Sequence, residues 1–328
     1  MKKRGVGIGC MWYGIGNTGL PNPASAFVEW LDDGSVNLMV GCADIGQGSD
    51  TVLAQIVAEE LGVSFDQIVV TSADTMITPE GGATSASRQT YISGNAARLA
   101  AAEAKKVALA EAVEKLSVPA EQLSFADGYV YVSGCKSDLA LKDLIACCRA
   151  KGKLTLGHGW FNPDTTGLDP ETGYGSPFGT YAFATQIVEV EVDTATGKIE
   201  VLKVVAAHDV GRAVNPDMVV GQIEGGTVMG LGYATLEELE INQGKIKNPN
   251  LDTYLLATSL DVPEIVSVIV EDQEPTGPFG AKGVGEPALI PTAAAIANAV
   301  YDAIGVRIYS LPITPEKVLA ALDEKYEQ

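Results

Sequence analysis

One plan occurs twice in this chain, and the repetition constrains its fold more than any other feature. Ala26 to Leu31 reads as a strand, Asp32-Asp33-Gly34 as a turn, and Val36 to Val40 as the returning strand. Directly afterwards come Asp44-Ile45-Gly46 and Gln47-Gly48, then a helix from Asp50 to Leu61 that Gly62 stops. In the second half, Ala184 to Val192 and Lys198 to Ala206 form a hairpin around Asp193-Thr194-Ala195-Thr196-Gly197. It leads to Asp209-Val210-Gly211 and a helix beginning near Pro216 that carries Gly221-Gln222-Ile223-Glu224-Gly225-Gly226. Two hairpins, each feeding a glycine-rich turn and a helix, imply an α+β chain of two duplicated lobes. The stretch from Gly157 to Phe178, full of Gly, Pro, Asp and Asn, reads as a long ordered loop between them. The lobes are accordingly expected at 1–165 and 166–328.

The remaining elements fill in around this plan. Gln67 to Thr71 reads as a strand, Ser93 to Leu116 as an alanine-rich helix, and Leu123 to Ser133 as a small hairpin. Leu139 to Lys151 and the apolar run Ala288 to Ile304 read as helices, and Thr314-Pro315-Glu316 starts a terminal one. With 46% hydrophobic residues among 328, the chain can bury a large core.

Charge and composition exclude several function classes. A net charge of -20 disfavours nucleic acid and anionic membrane surfaces, which need clustered Lys and Arg. The basic start, Met1 to Gly5, is not followed by the apolar run of a signal peptide, and no later stretch is expected to be long enough to span a bilayer. Five cysteines, with no C-x-x-C pair, suggest a reducing cytoplasm. Only two histidines, His158 and His208, are present, so a metal must arrive already chelated.

Three loops look able to receive a ligand. Gly277 to Pro287 holds four glycines and ends on Glu286, just before the helix expected from Ala288. Its backbone is nearly free of side chains, which allows close approach of a ligand or dihedrals that other residues avoid. Gly46-Gln47-Gly48 precedes one helix, and the small polar run Gly81 to Gln89 precedes another, so backbone N–H groups gather at both. Neither a P-loop nor a G-x-G-x-x-G fingerprint is present. Helix capping and close packing would account for each loop taken singly.

Taken together and in order, Asp44 to Gly48, Ser85-Ala86-Ser87-Arg88-Gln89, Asn215-Pro216 with Gly221 to Gly226, and Gly280 to Pro287 resemble the xanthine dehydrogenase and aldehyde oxidase family. The resemblance runs from Arg4 to the terminal helix and covers the C-terminal half of that family's molybdopterin-binding subunit. It implies a molybdenum–molybdopterin cytosine dinucleotide, held by Gly46, Gln47, Gly48, by Ser85 to Gln89, by Gln222, and by Lys282, Gly283, Val284 and Gly285. Metal ligands from the chain itself are not implied. Glu286 matches the family's general base, which takes a proton as an electron-poor carbon beside a ring nitrogen is hydroxylated. A nearby cation tunes such a base, and Lys282 is the candidate. Tyr13, Asn17 and Thr18 match the segment bordering the substrate pocket.

The resemblance also implies partners: a large subunit with the N-terminal half of the family domain, an iron–sulfur subunit carrying [2Fe-2S] clusters, and an FAD subunit. Nicotinate, converted to 6-hydroxynicotinate, is the expected small heteroaromatic substrate. Purine, xanthine or aldehyde hydroxylation is the alternative within the family, and a non-catalytic scaffold or binding subunit the alternative outside it.

Overall fold

A computed structural model describes residues 1–18 and 20–327. Two four-stranded sheets share one order of strands. In the first, β2 (Ala24–Trp30) pairs antiparallel with β3 (Val36–Val40), and after helix α1 (Ser49–Leu61) strand β4 (Ile68–Ser72) returns parallel to β3. The long helix α2 (Gly94–Leu116) crosses the sheet. Strands β5 (Leu123–Ala126), β6 (Tyr129–Val132) and β7 (Cys135–Ala140) form a small meander, and α3 (Leu141–Ala150) leads to β8 (Leu156–Phe161), which closes the sheet beside β2.

The second sheet repeats the plan. Strands β9 (Tyr181–Asp193) and β10 (Ile199–Asp209) form the hairpin, and α4 (Pro216–Thr235) follows. After the two-residue strands β11 (Ile241–Asn242) and β12 (Lys245–Ile246), strand β13 (Glu264–Val270) returns parallel to β10. The closing strand is β1 (Lys2–Gly14), antiparallel to β9 from Lys2↔Asp193 to Gly14↔Tyr181. Helix α5 (Ile290–Ile304) lies across β1 and β9, and α6 (Pro315–Glu327) ends the described chain. Strand β1, from the stretch expected in the first lobe, thus pairs in the second sheet.

Two glycine-bearing strands explain how the helices come so close. On β1, a Cβ at Gly5, Gly7 or Gly9 would fall within 2.2 Å of a carbonyl oxygen of Ala299, Ala295 or Pro291. On β8, Gly157 and Gly159 face Ala100 and Ala96 of α2 in the same way, at 2.1 and 1.9 Å. The helix backbones therefore rest on the strands themselves. Alternating glycines lower strand propensity, which is why the sequence reading left residues 2–14 unassigned and placed β8 inside the expected long loop.

The run Glu286–Ile304, with α5 as its main part, is 19 residues long at a mean hydropathy of 1.2, enough by length and composition to cross a membrane. The expectation that no stretch reaches that length is corrected. Its apolar residues pack on β1 and β9, and Ala295, Ile296, Ala299 and Val300 are buried there.

A buried carboxylate ties α2 to the segment after α3. Glu111 accepts from Lys151 Nζ at 2.7 Å, Lys153 Nζ at 2.8 Å and Cys147 Sγ at 3.2 Å. The bonds from Lys151 and Lys153 push its carboxyl down from the ordinary 4.5 to about 2. A depressed folded value means stability that is present above pH 4.5 and lost as pH falls from 4.5 towards 2. Melting temperature should therefore fall in this window, and Glu111→Gln should flatten the slope there. An unchanged slope in the variant would remove Glu111 from the acid transition.

Candidate functional site

Glu286 stands in a single helical turn, Glu286–Ala288, just ahead of α5. Its Oε1 accepts from the Ala86 amide at 2.9 Å, and its Oε2 accepts from the Tyr13 hydroxyl. Its own amide donates to Ser87 Oγ at 3.0 Å. The carboxylate is fixed between three segments far apart in the chain. Burial and the bond to Glu286 push the Tyr13 hydroxyl well above the ordinary tyrosine value, so it remains an O–H donor at neutral pH.

The Glu286 turn is braced from behind. Gln186 of β9, fully buried, donates to the Ala288 carbonyl at 2.9 Å and accepts from Thr292 Oγ1 at 2.7 Å. The preceding loop joins the end of β10, where Lys282 N donates to Val210 O at 2.9 Å and Arg212 N to Gly280 O at 2.8 Å. Lys282 Nζ lies 2.6 Å from Asp209 Oδ2, and both side chains are buried. The ammonium is committed to Asp209 and makes no hydrogen bond to Glu286.

The Ser85 to Gln89 loop carries strain that its partners hold in place. Ala86 and Ser87 both lie in the left-handed region, at φ 52° and 54°, which costs of order 1 kcal/mol or more for each non-glycine residue. The Ala86 carbonyl accepts from the Gly16 amide at 2.9 Å, and a Cβ at Gly283 would lie 1.8 Å from the Ser87 carbonyl oxygen. That glycine therefore serves loop-on-loop packing. Behind the loop, Arg88 is buried and spends every donor on protein oxygens: Nε on Asn22 Oδ1, Nη1 on the Gly81 and Ala83 carbonyls, and Nη2 on the Asn22 and Pro23 carbonyls. Five N–H groups meet five acceptors. Its guanidinium has none left for a ligand, a correction to its expected role.

The first glycine loop is also pre-set. Asp44 accepts the amides of Gly46, Gly48 and Asp50, capping α1, and this holds its carboxyl below the usual range although burial opposes it. Gln47 Nε2 donates to Ala43 O at 3.0 Å and Ser49 Oγ at 2.9 Å. Gly46, at φ 102°, has open space where a Cβ would project. On α4, the Gln222 amide makes no side-chain hydrogen bond among the described residues.

These segments enclose a cavity of about 290 Å³ lined by Gln47, Gly48, Ser85, Ser87, Arg88, Gln89, Gln222, Gly283, Val284, Gly285 and Glu286, with apolar wall from Ile45, Val52, Met229 and Leu289. A smaller space of about 50 Å³ shares Gln47, Gln222 and Val284 with it and adds Lys282 and Arg212. Tyr13 reaches the cavity through its bond to Glu286. Asn17 and Thr18 do not line it. Sequence reasoning missed Gln186, Asp209 and Arg88's anchoring role. Gln186 had a visible signal, a polar residue in step with Ala182, Ala184, Val188 and Val190 on the buried face of β9.

Comparison with known proteins decides the family. The molybdopterin cofactor-binding domain family matches residues 1–263. The chain belongs to that family, within the xanthine dehydrogenase and aldehyde oxidase group. The xanthine dehydrogenase molybdenum-binding subunit of Escherichia coli O157:H7 is 36% identical over 324 residues, covering 96% of this chain and 42% of its own length. The structure of quinoline 2-oxidoreductase from Pseudomonas putida 86 superposes with a TM-score of 0.87 at 28% identity, over 98% of this chain and 42% of that one. Aldehyde oxidoreductase from Desulfovibrio gigas gives a TM-score of 0.83 at 33% identity, over 98% and 33%. The chain thus spans well under half of the relatives it matches.

The donor set of the cavity suits a molybdopterin. The Gln222 amide and the Ser85 and Ser87 hydroxyls match the hydrogen-bonding edges of a pterin and a pyrophosphate, the Gln47 amide holds its loop in shape, and the open space at Gly46 admits close approach of backbone. Among the described residues no group of three or more His, Cys, Asp or Glu side chains could hold a metal ion. A metal here would be carried by its pterin.

Proposed function

We propose that this chain is the molybdopterin-binding part of a molybdenum hydroxylase, with Glu286 as general base and nicotinate, converted to 6-hydroxynicotinate, as substrate. The observation that carries the reading is the Glu286 carboxylate, held at the cavity wall by the Tyr13 hydroxyl and the Ala86 amide. Each oxygen keeps a lone pair for a proton after accepting one bond. When bound, the molybdenum cofactor supplies the two-electron oxidation and delivers a water-derived oxygen to the substrate carbon. Gln47, Ser85, Ser87, Gln89, Gln222 and the Gly283 to Gly285 backbone hold it in this reading, as the cytosine dinucleotide. Lys282 and Arg88 act behind the site, keeping the two loops in register.

The activity belongs to a complex. A large subunit completes the molybdopterin-binding fold, and [2Fe-2S] and FAD subunits carry the electrons away, in a medium-subunit arrangement like that of nicotinate dehydrogenase. The cytoplasm, where the free cysteines Cys10, Cys42, Cys135, Cys147 and Cys148 stay reduced, is the proposed compartment. A relative named for oxidation of quinoline at position 2 supports a nitrogen heterocycle as substrate. The 36% identity to a xanthine dehydrogenase subunit favours a purine as the second reading.

The test is turnover by the purified complex with nicotinate, xanthine and an aldehyde, together with molybdenum and cytidine monophosphate content. Nicotinate hydroxylation is expected, and its absence beside xanthine turnover would move the assignment to the purine. Tyr13→Phe keeps the ring and removes the bond to Glu286. Loss of a hydrogen bond to a charged group, about 1.5 kcal/mol, should lower kcat about tenfold with cofactor content unchanged. A change in KM alone would instead place the hydroxyl on the substrate.

A further inference from the structure

Between α4 and β13 the chain makes an arm, residues 237–263, whose side chains, polar and apolar alike, mostly face solvent. A few internal bonds order it. Asn248, almost fully buried, donates to the Glu238 carbonyl and accepts the Glu240 amide at 2.9 Å, while the Tyr254 hydroxyl donates to Glu237 at 2.7 Å. The Glu237 amide in turn bonds Gly232 O at 2.9 Å, fastening the arm to the end of α4. Its leucines face outwards: Leu251 is 73% exposed, Leu260 96%, and Leu239, Leu255 and Leu256 are exposed as well. An ordered array of exposed apolar side chains marks a surface that another polypeptide covers.

The exposed strip is continuous with the site. Met229 and Tyr233, one turn apart on α4, are 62% and 56% exposed, and Met229 also lines the cavity. Ile45, across the cavity, is exposed too. A cavity whose wall residues Ile45 and Met229 face water lacks a cover, and the strip leads from that missing cover along α4 to the arm. The chain corresponds to 42% of its xanthine dehydrogenase relative, so the larger part of the family's fold lies outside these 328 residues.

We infer that Met229, Tyr233 and the leucines of the 237–263 arm form the docking surface for that larger part of the family's fold, so that one partner both closes the cavity and buries the arm. The inference rests on the proposed split enzyme, and deepens it by naming the surface. The expected interface is of the obligate kind, above about 2,000 Å² with an apolar centre.

Thiol labelling of the native complex tests it. Leu251→Cys, Leu255→Cys and Leu260→Cys are exposed positions whose substitution leaves the core untouched, and each is reacted with a maleimide in the intact complex and, as the reference for an uncovered thiol, in the same chain unfolded in urea, with sites read by peptide mass. Labelling at least tenfold slower in the complex at two or more positions is expected. Equal rates in both states would overturn the inference, as would slow labelling of the isolated chain that deepens with its own concentration, which would make a second copy the occupant. Molybdenum content and nicotinate turnover of the same preparation report separately on the enzymatic reading, so the two can fail independently.

Discussion

Glu286→Gln should leave the complex fully loaded with molybdenum and pterin and lower its turnover at least about a hundredfold, the smaller end of what removal of a general base costs. The amide keeps the length and planarity of the carboxylate. Its oxygen can still accept from the Ala86 amide, while its NH₂ can donate to the Tyr13 hydroxyl oxygen, which accepts as well as donates. The loop consequently keeps its contacts, including the bond from the residue 286 amide to Ser87. Cofactor content separates this outcome from a collapse of the site, because the Ser85 to Gln89 loop is anchored independently by Arg88. Near-normal turnover in a metal-replete variant would exclude Glu286 as the base.

Gly7→Ala should prevent the chain from folding, or destabilise it by at least about 4 kcal/mol, the upper range for a single substitution. The added Cβ would lie 2.1 Å from the Ala295 carbonyl oxygen and 2.2 Å from the Ala299 amide nitrogen. Both are helix backbone, so no side chain can swing away, and α5 would have to lift off β1 and β9 along much of its buried face. Ile8→Thr, on the exposed face of the same strand, should change stability by less than about 1 kcal/mol. Soluble yield and urea unfolding midpoints report both. A soluble Gly7→Ala chain with a midpoint near the parent's would show that the helix sits farther from the strand.

What the sequence made legible was set by how strongly local chemistry decides local structure. The hairpins at β2–β3 and β9–β10 carry branched residues in steps of two around Asp-Gly or Thr-Gly turns, and each lies where the pattern puts it. Strands β1 and β8 escaped notice because their buried face is glycine, which shows no hydrophobic period although it packs as tightly as any core position. Strand β13 had the valines and isoleucines of a strand, and the reading passed over it. At the site, the spacing of glycines and amides marked the loops that meet in the cavity, but a charge in a sequence does not say which acceptor it will find. Arg88 and Lys282 were assigned outwards to a ligand, whereas the first meets five protein oxygens and the second a buried aspartate. Buried cations take partners that burial supplies, and although Gly81 and Ala83 are near Arg88 in the chain, the others, at residues 22, 23 and 209, lie far beyond any local window.

The pairing of β1 with β9 also orders events during synthesis. Every strand of the first sheet, from residue 24 to residue 161, lies between those two in the chain, so the first lobe can close once its last strand has left the ribosome. Strand β1 has no such opportunity. Its partner arrives only with residues 181–193, and the helix that covers its glycines only with residues 290–304, so β1 waits as an unpaired edge bearing Val6, Ile8 and Trp12 while most of the protein is translated. Nascent chains cut short between residues 161 and 181 would display that edge, and they are where chaperone capture of this protein should concentrate.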